Sequence, residues 1–400
     1  MEQERGKDYT AVDLIAVAKR DNNKKRPYLL VNPLQGKHVP VSPSVSLSLF
    51  DTLANKVNKE LNIDGGVLFI GFAETATAIG AAVACNFTKK NKVYVMQTTR
   101  EADAAENFLY FSETHSHATE QRLAADGLQE VLEKVDTIIF VEDEVTTGNT
   151  ICRLINTMKA AYRLDTKKWA VASLLNGMTT EREKEFGEKV GQLCYLVKSD
   201  NQRYADKLHL FAGNGKTHQF GELDGTHFSI QDNETIDVTT MSGGQNLCRV
   251  KSSEKYQEAA RSFAKDVCHL AAPRLGESIL VLGTEEFMYP ALLAATEMEQ
   301  QVGAVGSVCF HATTRSPILP STESEYPLHE RWQLRSLYDA ERITYIYNLK
   351  AYDRVFIITD ATIKTPAYWP GLHDLKTALK QSGNHCIHLI CRQDEDKKKF

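Results

Sequence analysis

Ile138-Ile139-Phe140-Val141-Glu142-Asp143-Glu144-Val145-Thr146-Thr147-Gly148-Asn149-Thr150 is the stretch whose chemistry decides the fold. Four apolar residues, enough for a short buried strand, run straight into two adjacent carboxylates. A Thr-Thr-Gly-Asn-Thr loop follows, and 151–162 then spaces its apolar residues as a helix. Gly148 lets the backbone come close to an anion. The first amides of the helix point at the same anion, and the helix dipole favours it. Thr146, Thr147 and Thr150, with Asn149 between them, bring side-chain donors. Adjacent carboxylates cannot help a phosphate, but they can accept hydrogen bonds from the two cis hydroxyls of a ribose. The spacing therefore fits a 5-phosphorylated ribose, with phosphate on 146–150 and the diol on Glu142 and Asp143. A strand followed by an ordinary capped helix is the plainer alternative, and it leaves the acid pair unexplained.

On either side, strands and helices alternate. Apolar runs predict strands over 28–31, 66–70, 93–97, 138–141 and 169–175. Helical spacing predicts helices over 11–20, 47–61, 75–87, 119–135 and 151–162. This rhythm gives an α/β fold with a mostly parallel sheet covered by helices on both faces. Ligands of such sheets bind at the carboxyl ends of the strands. The rhythm breaks over 199–244, where Gly and Thr are frequent and short runs such as Leu208-His209-Leu210-Phe211 suggest irregular β structure. It resumes with helices over 256–270, 289–299 and 371–381 and strands over 279–282, 306–310, 355–358 and 386–390. The division expected is a first domain over 1–198, a β-rich connector over 199–244 and a second α/β domain over 245–400.

The halves resemble each other. Gly71 with Glu74, Thr98-Thr99-Arg100 and Glu142-Asp143 stand at nearly the spacing of Gly283 with Glu285-Glu286, Thr313-Thr314-Arg315 and Thr359-Asp360. The second half reads as a degenerate repeat of the first. It has no Gly in the segment Asp360-Ala361-Thr362-Ile363-Lys364-Thr365-Pro366, and Pro366 removes an amide donor. No second ribose-phosphate loop is expected there. Glu286, Arg315 and Ser316 either bind another anion or knit a structural domain.

Bulk properties narrow the classes. At roughly 100–200 residues per domain, 400 residues make two domains. A net charge of −5 and a pI near 6.2 do not suggest the basic face of a nucleic-acid binder. The eight cysteines include no C-x-x-C pair and fit neither a zinc site nor a disulfide framework, so no protein-bound metal centre and a reducing cytoplasm are expected. No apolar run approaches about 18–20 residues, and 1–20 lacks a signal-peptide core. Gly213-Asn214-Gly215-Lys216-Thr217 ends like a nucleotide-binding P-loop, but Leu210 stands where the opening glycine belongs.

The 138–150 segment is similar to the PRPP-binding motif of type I phosphoribosyltransferases: apolar strand, two acids, Thr-Gly-x-Thr loop. Other segments match in order over about residues 28 to 198. Ala73, Glu74 and Thr75 fall where that family has its pyrophosphate loop, and Gly80 fits the helix after it. Arg100 falls where orotate-type members place a cation for pyrophosphate. His115 and His117 lie where those members carry a mobile loop. Gly36-Lys37-His38-Val39-Pro40 resembles their base-holding hood. Together with Asn32-Pro33-Leu34-Gln35-Gly36 and Thr314-Arg315-Ser316-Pro317, the pattern resembles a bacterial subgroup with a C-terminal TRSP domain, linked with tellurium-resistance (Ter) stress systems.

That resemblance implies an Mg²⁺-dependent transfer of the phosphoribosyl group from PRPP to a nitrogenous base. Arg100 would meet pyrophosphate. His115 and His117 would close over the site, one as a general acid, although two histidines in a polar loop are often only solvated or can hold a transition metal. Lys37, His38 and Asn176 would hold the base. One departure concerns orotate: where its enzymes place an Arg, this chain reads Leu174-Leu175-Asn176-Gly177, without a charge for a carboxylate. Partners would be small molecules, with no nucleic acid and no membrane, and the family's loop geometry is compatible with a homodimer. The alternatives are a regulatory protein that binds PRPP or a nucleotide without catalysis, and a structural member of a stress-response assembly.

Overall fold

A computed structural model describes residues 8–21, 23, 26–88, 92–101, 105–111, 121–220, 236–244 and 246–393. The chain forms two compact units. The first takes residues 8–11, 47–200 and 246–258, and the second takes 12–46, 201–244 and 259–393. This partition departs from the linear division read from the sequence. The hood segment 28–46 belongs to the second unit, and 246–258 returns to the first.

In the first unit the strands lie in the order Lys251–Ser252, Val93–Gln97, Val67–Gly71, Thr137–Val145, Lys168–Asn176, Gln192–Lys198. All neighbours are parallel except the short Lys251–Ser252 strand, which runs against Val93–Gln97. Parallel strands covered on both faces need continuous apolar runs, and Val67–Gly71 is buried at every position. On one face Leu68, Ile70, Ile138, Phe140, Trp169 and Val171 join Leu154 and Phe186 in a single cluster. Phe140 and Trp169 stack there with centroids 5.8 Å apart. The helix Thr77–Cys85 is made of small residues because it lies close on the sheet. A Cβ built on Gly80 would stand 2.8 Å from Gly71 Cα.

The second unit repeats this plan. Its main sheet runs Ile236–Ser242, Ile387–Gln393, Arg354–Thr359, Ser278–Gly283, Ser307–Ala312, all parallel. In the first unit Val67–Gly71 is flanked on one side by Val93–Gln97 and on the other by Thr137–Val145 and then Lys168–Asn176; Ser278–Gly283 is flanked in the same way by Ser307–Ala312 and by Arg354–Thr359 and then Ile387–Gln393, with Ile236–Ser242 added at the edge. Hydrogen bonds at the strand ends match as well. The Thr98 amide donates to the Gly71 carbonyl (2.9 Å), and the Thr313 amide donates to the Gly283 carbonyl (3.1 Å). Thr98 Oγ1 accepts from the Ala73 amide (2.8 Å), and Thr313 Oγ1 accepts from the Glu285 amide (3.0 Å). Thr99 bridges Arg122 as Thr314 bridges Tyr345. The halves thus share topology and local bonding, as their spacing suggested.

Several elements differ from the sequence expectation. Of the helix expected over 119–135, the described residues 121–135 are not one helix. Arg122–Ala124 pairs with Phe108–Tyr110 as an antiparallel hairpin, Gly127 turns with φ +72, and only Leu128–Leu132 is helical. The helix over 11–20 shrinks to Ala11–Leu14, and Ala16–Lys19 pairs with Tyr28–Val31. Leu208-His209-Leu210 lies in a 3₁₀ turn, Lys207–Leu210, rather than in β structure. Thr180–Val190 is a helix with Thr179 as its cap, and Glu330–Arg335 with Ile343–Tyr347 forms a hairpin, none of which the apolar pattern announced. Among the described residues no helix is long and apolar enough to cross a membrane.

Two glycines test this packing. Gly80→Ala should lower stability by about 1–3 kcal/mol, because the added methyl meets backbone that cannot swing away. Gly187→Ala, whose Cβ would meet nothing within 4 Å in the Thr180–Val190 helix, should raise it by about 0.5–1 kcal/mol. Chemical denaturation of both variants checks the pair.

Candidate active site

The site begins with a step in the sheet. Val67–Gly71 ends with Gly71 opposite Val141, and the Phe72 amide still donates to the Val141 carbonyl (3.0 Å). Thr137–Val145 runs on, supported on its other side until Val145 pairs with Asn176. Glu142, Asp143 and Glu144 therefore project past the end of their inner neighbour, half-buried, at the carboxyl edge of the sheet. The loop after Gly71 crosses into the step, and Thr75 Oγ1 donates to Asp143 Oδ1 at 2.8 Å. Loss of hydration, followed by the adjoining charges of Asp143 and Glu144, holds the Glu142 carboxyl well above the ordinary carboxylate range, and Arg100 pulls against that rise. The acid pair, the 73–75 loop and Arg100 are thus brought together.

The loop 72–76 is tightly held. Its Ala73–Glu74 peptide is cis. The Ala73 amide donates to Thr98 Oγ1, Thr77 Oγ1 donates to the Glu74 carbonyl (3.3 Å), and Glu74 itself is buried. Arg100, half-buried, follows the Thr99–Arg122 bridge, and Thr99 Oγ1 accepts from the Glu101 amide (3.0 Å).

Beyond Val145 the chain turns at Gly148, whose φ of +70 is left-handed. A Cβ there would stand 2.2 Å from the Phe186 ring, so the turn needs glycine for conformation and for space. The Asn149–Ala161 helix opens directly after it, its first bond running from the Cys152 amide to the Gly148 carbonyl (3.0 Å). Thr147 and Asn149 are exposed, and Thr146 and Thr150 are half-buried. Arg182 braces this loop, with Nε donating to the Thr147 carbonyl (2.9 Å) and Nη2 donating to Asn149 Oδ1 (3.1 Å). Sequence reasoning missed Arg182. Thr179 as a cap, with Phe186 and Val190 at i and i+4 spacing, was the available signal.

The other sequence candidates fall elsewhere. Asn176 is fully buried at the end of its strand, and its Oδ1 accepts from the Met178 amide (3.0 Å). Lys37 and His38 are buried in the second unit. The Lys37 ammonium donates to the carbonyls of Glu285 (2.8 Å) and Thr313 (3.0 Å), as a buried cation must to replace its water. Glu286, Arg315 and Ser316 lie at the strand ends of the second unit's sheet. His115 and His117 are outside the described residues.

Comparison with known proteins adds a family context. Residues 14–199 match the family described as "Phosphoribosyl transferase", and residues 244–376 match "TRSP domain C terminus to PRTase_2". No curated protein matches the chain. Similar solved structures include adenine phosphoribosyltransferase from Rhodothermus marinus, at 12% identity and TM-score 0.32, covering 46% of this chain and 94% of that one. The Giardia lamblia adenine enzyme, complexed with 9-deazaadenine, has 14% identity and TM-score 0.32, covering 47% and 96%. A Staphylococcus aureus hypoxanthine phosphoribosyltransferase has 10% identity and TM-score 0.24, covering 38% and 72%.

Glu142 sets a pH signature. A carboxyl whose folded pKa is raised favours the folded state while protonated, and that stability is lost as pH rises through its folded value. Glu142→Gln should therefore be more stable than wild type near neutral pH. The advantage should vanish below about pH 4, where both folded and unfolded carboxyls are protonated. Thermal melts across pH read this directly.

Proposed function

We propose, from the premise that the chain belongs to the phosphoribosyltransferase family that carries a C-terminal TRSP domain, that its first unit transfers the 5-phosphoribosyl group of PRPP to a nitrogenous base and releases pyrophosphate. The observation that carries this reading is the 2.8 Å hydrogen bond from Thr75 to Asp143. It puts the loop assigned to pyrophosphate against the acids assigned to ribose, as a ligand bearing both groups on adjacent atoms requires.

In this reading Glu142 and Asp143 accept hydrogen bonds from the two ribose hydroxyls. The 5-phosphate sits on 146–150, at the start of the Asn149–Ala161 helix, with Arg182 stiffening the loop from behind. Ala73, Glu74 and Thr75 line the pyrophosphate side, and Arg100 neutralises charge on the leaving group as the anomeric C–O bond stretches. The electron pair of that bond leaves with pyrophosphate. A ring nitrogen of the base supplies the new pair, and its proton is released. Negative charge at Asp143 and Glu144 suits the cationic anomeric carbon.

Among the described residues no group of three or more His, Cys, Asp or Glu side chains is placed to hold a metal. Mg²⁺ would be held mainly by PRPP oxygens and water, with the carboxyl groups of Glu142 and Asp143 beside it, where it would neutralise pyrophosphate charge. We place the protein in a reducing cytoplasm, in keeping with its free thiols.

Calorimetry with PRPP and Mg²⁺ tests the proposal. Wild type should bind, and Asp143→Asn should bind at least tenfold more weakly, a loss of about 1.4 kcal/mol. A base pool should then release pyrophosphate from PRPP. Binding without release from any base would favour the sensor alternative, and absence of binding up to millimolar PRPP would overturn both.

A further inference from the structure

The matched hydrogen bonds give each strand end of the second unit a counterpart in the first. Glu285 occupies the place of Ala73, since both amides donate to the first threonine after the second strand. Arg315 occupies the place of Arg100. Gly283 pairs with Ile358 as Gly71 pairs with Val141, so Asp360 stands where Asp143 does.

The side chains at these places bond to one another. Glu285 is 1% exposed and has a left-handed φ of +47, which a residue with a Cβ adopts only under constraint. Its Oε2 accepts from Arg315 Nε (2.8 Å) and from Arg342 Nη1 (3.0 Å), and its Oε1 accepts from Ser336 Oγ. Arg315 Nη2 also donates to Glu286 (3.2 Å), and Asp360 accepts from the Tyr338 hydroxyl (2.7 Å). Two guanidinium groups and a hydroxyl converging in a buried place are the donors a phosphate would want. Here the bound anion is the protein's own carboxylate.

We propose that Glu285 is a built-in anion. It fills an oxyanion site made by Arg315, Arg342 and Ser336, so the second unit is an internally liganded copy of the fold that takes neither PRPP nor free pyrophosphate. Removing the carboxylate while keeping the arginines converts the place into a site for a phosphate-type anion. Glu285→Ala removes the carboxylate and leaves its space open. Glu285→Gly removes the side chain and relieves the backbone.

The probe is inorganic pyrophosphate, titrated into the full chain by calorimetry, with thermal melts alongside. Wild type should show at most one site per chain. Glu285→Ala and Glu285→Gly should each gain one site more than wild type, and pyrophosphate should raise their melting temperatures more than it raises that of wild type. The gained site should disappear in Glu285→Ala combined with Arg315→Met. Two sites in wild type would overturn the proposal whether or not the variants fold. So would folded variants that gain no site, or a gained site that survives loss of Arg315. Because only Arg315-dependent binding is assigned to the second unit, failure here is distinguishable from failure of PRPP binding at Asp143.

Discussion

The unequal lengths of two neighbouring strands govern the first unit. Val67–Gly71 stops opposite Val141, and Thr137–Val145 continues to its pairing with Asn176. A strand that outruns its neighbour leaves a notch at the carboxyl edge, open to side chains and to a ligand. Without the notch, Glu142 and Asp143 would be ordinary ladder positions. With it, the 72–76 loop folds into the gap and meets Asp143 through Thr75. The helix behind that loop can come close because Gly71 and Gly80 have no side chains to hold it off. Small residues at two backbone positions thus set where the loop meets the acids.

The second unit shows which parts of this arrangement recur and which do not. The strand order, the threonine that receives the loop amide and the bridge at the next threonine are kept. The turn at 146–150 and the residue at Ala73 are not. The left-handed Gly148 turn has no counterpart, because 363–367 reads Ile-Lys-Thr-Pro-Ala before the Tyr368–Gln381 helix. The small Ala73 becomes Glu285, tied to two arginines. Hydrogen bonds that close the sheet's edge survive without a ligand, because buried backbone amides must be satisfied in either case.

Much of this was legible in the residues. Buried parallel strands are continuous apolar runs, so Val67–Gly71, Val93–Gln97 and the start of Thr137–Val145 stood out. Their acids and glycines fell where the fold needs them. The hairpin of Arg122–Ala124 did not stand out. Leu123, Leu128, Val131 and Leu132 have helical spacing, and only Gly127, turning left-handed, divides strand from helix. The placement of 28–46 was equally hidden. Lys37 reads as a cation free to meet a ligand, whereas its partners are carbonyls far along the chain, at Glu285 and Thr313. Arg182 failed for a related reason: its purpose lies in Thr147 and Asn149, more than thirty residues away, and local periodicity carries no long-range contacts.

The two strand ends also differ in how they balance charge. In the second unit Glu285 and Glu286 face Arg315 and Arg342, so the buried carboxylates are answered in place. In the first unit Glu142 has Asp143 and Glu144 beside it, and the net of these charges and lost hydration is a carboxyl that resists ionising despite Arg100. A fold selected only for stability would remove such a cluster, since unfavourable charge at a half-buried edge gives nothing back to the packed state. Cost concentrated at one edge is what a functional site leaves behind. A ligand that arrives with hydroxyls for the acids, and with positive charge developing beside them, would relieve that cost on binding. The answered charges of the second unit offer no such gain.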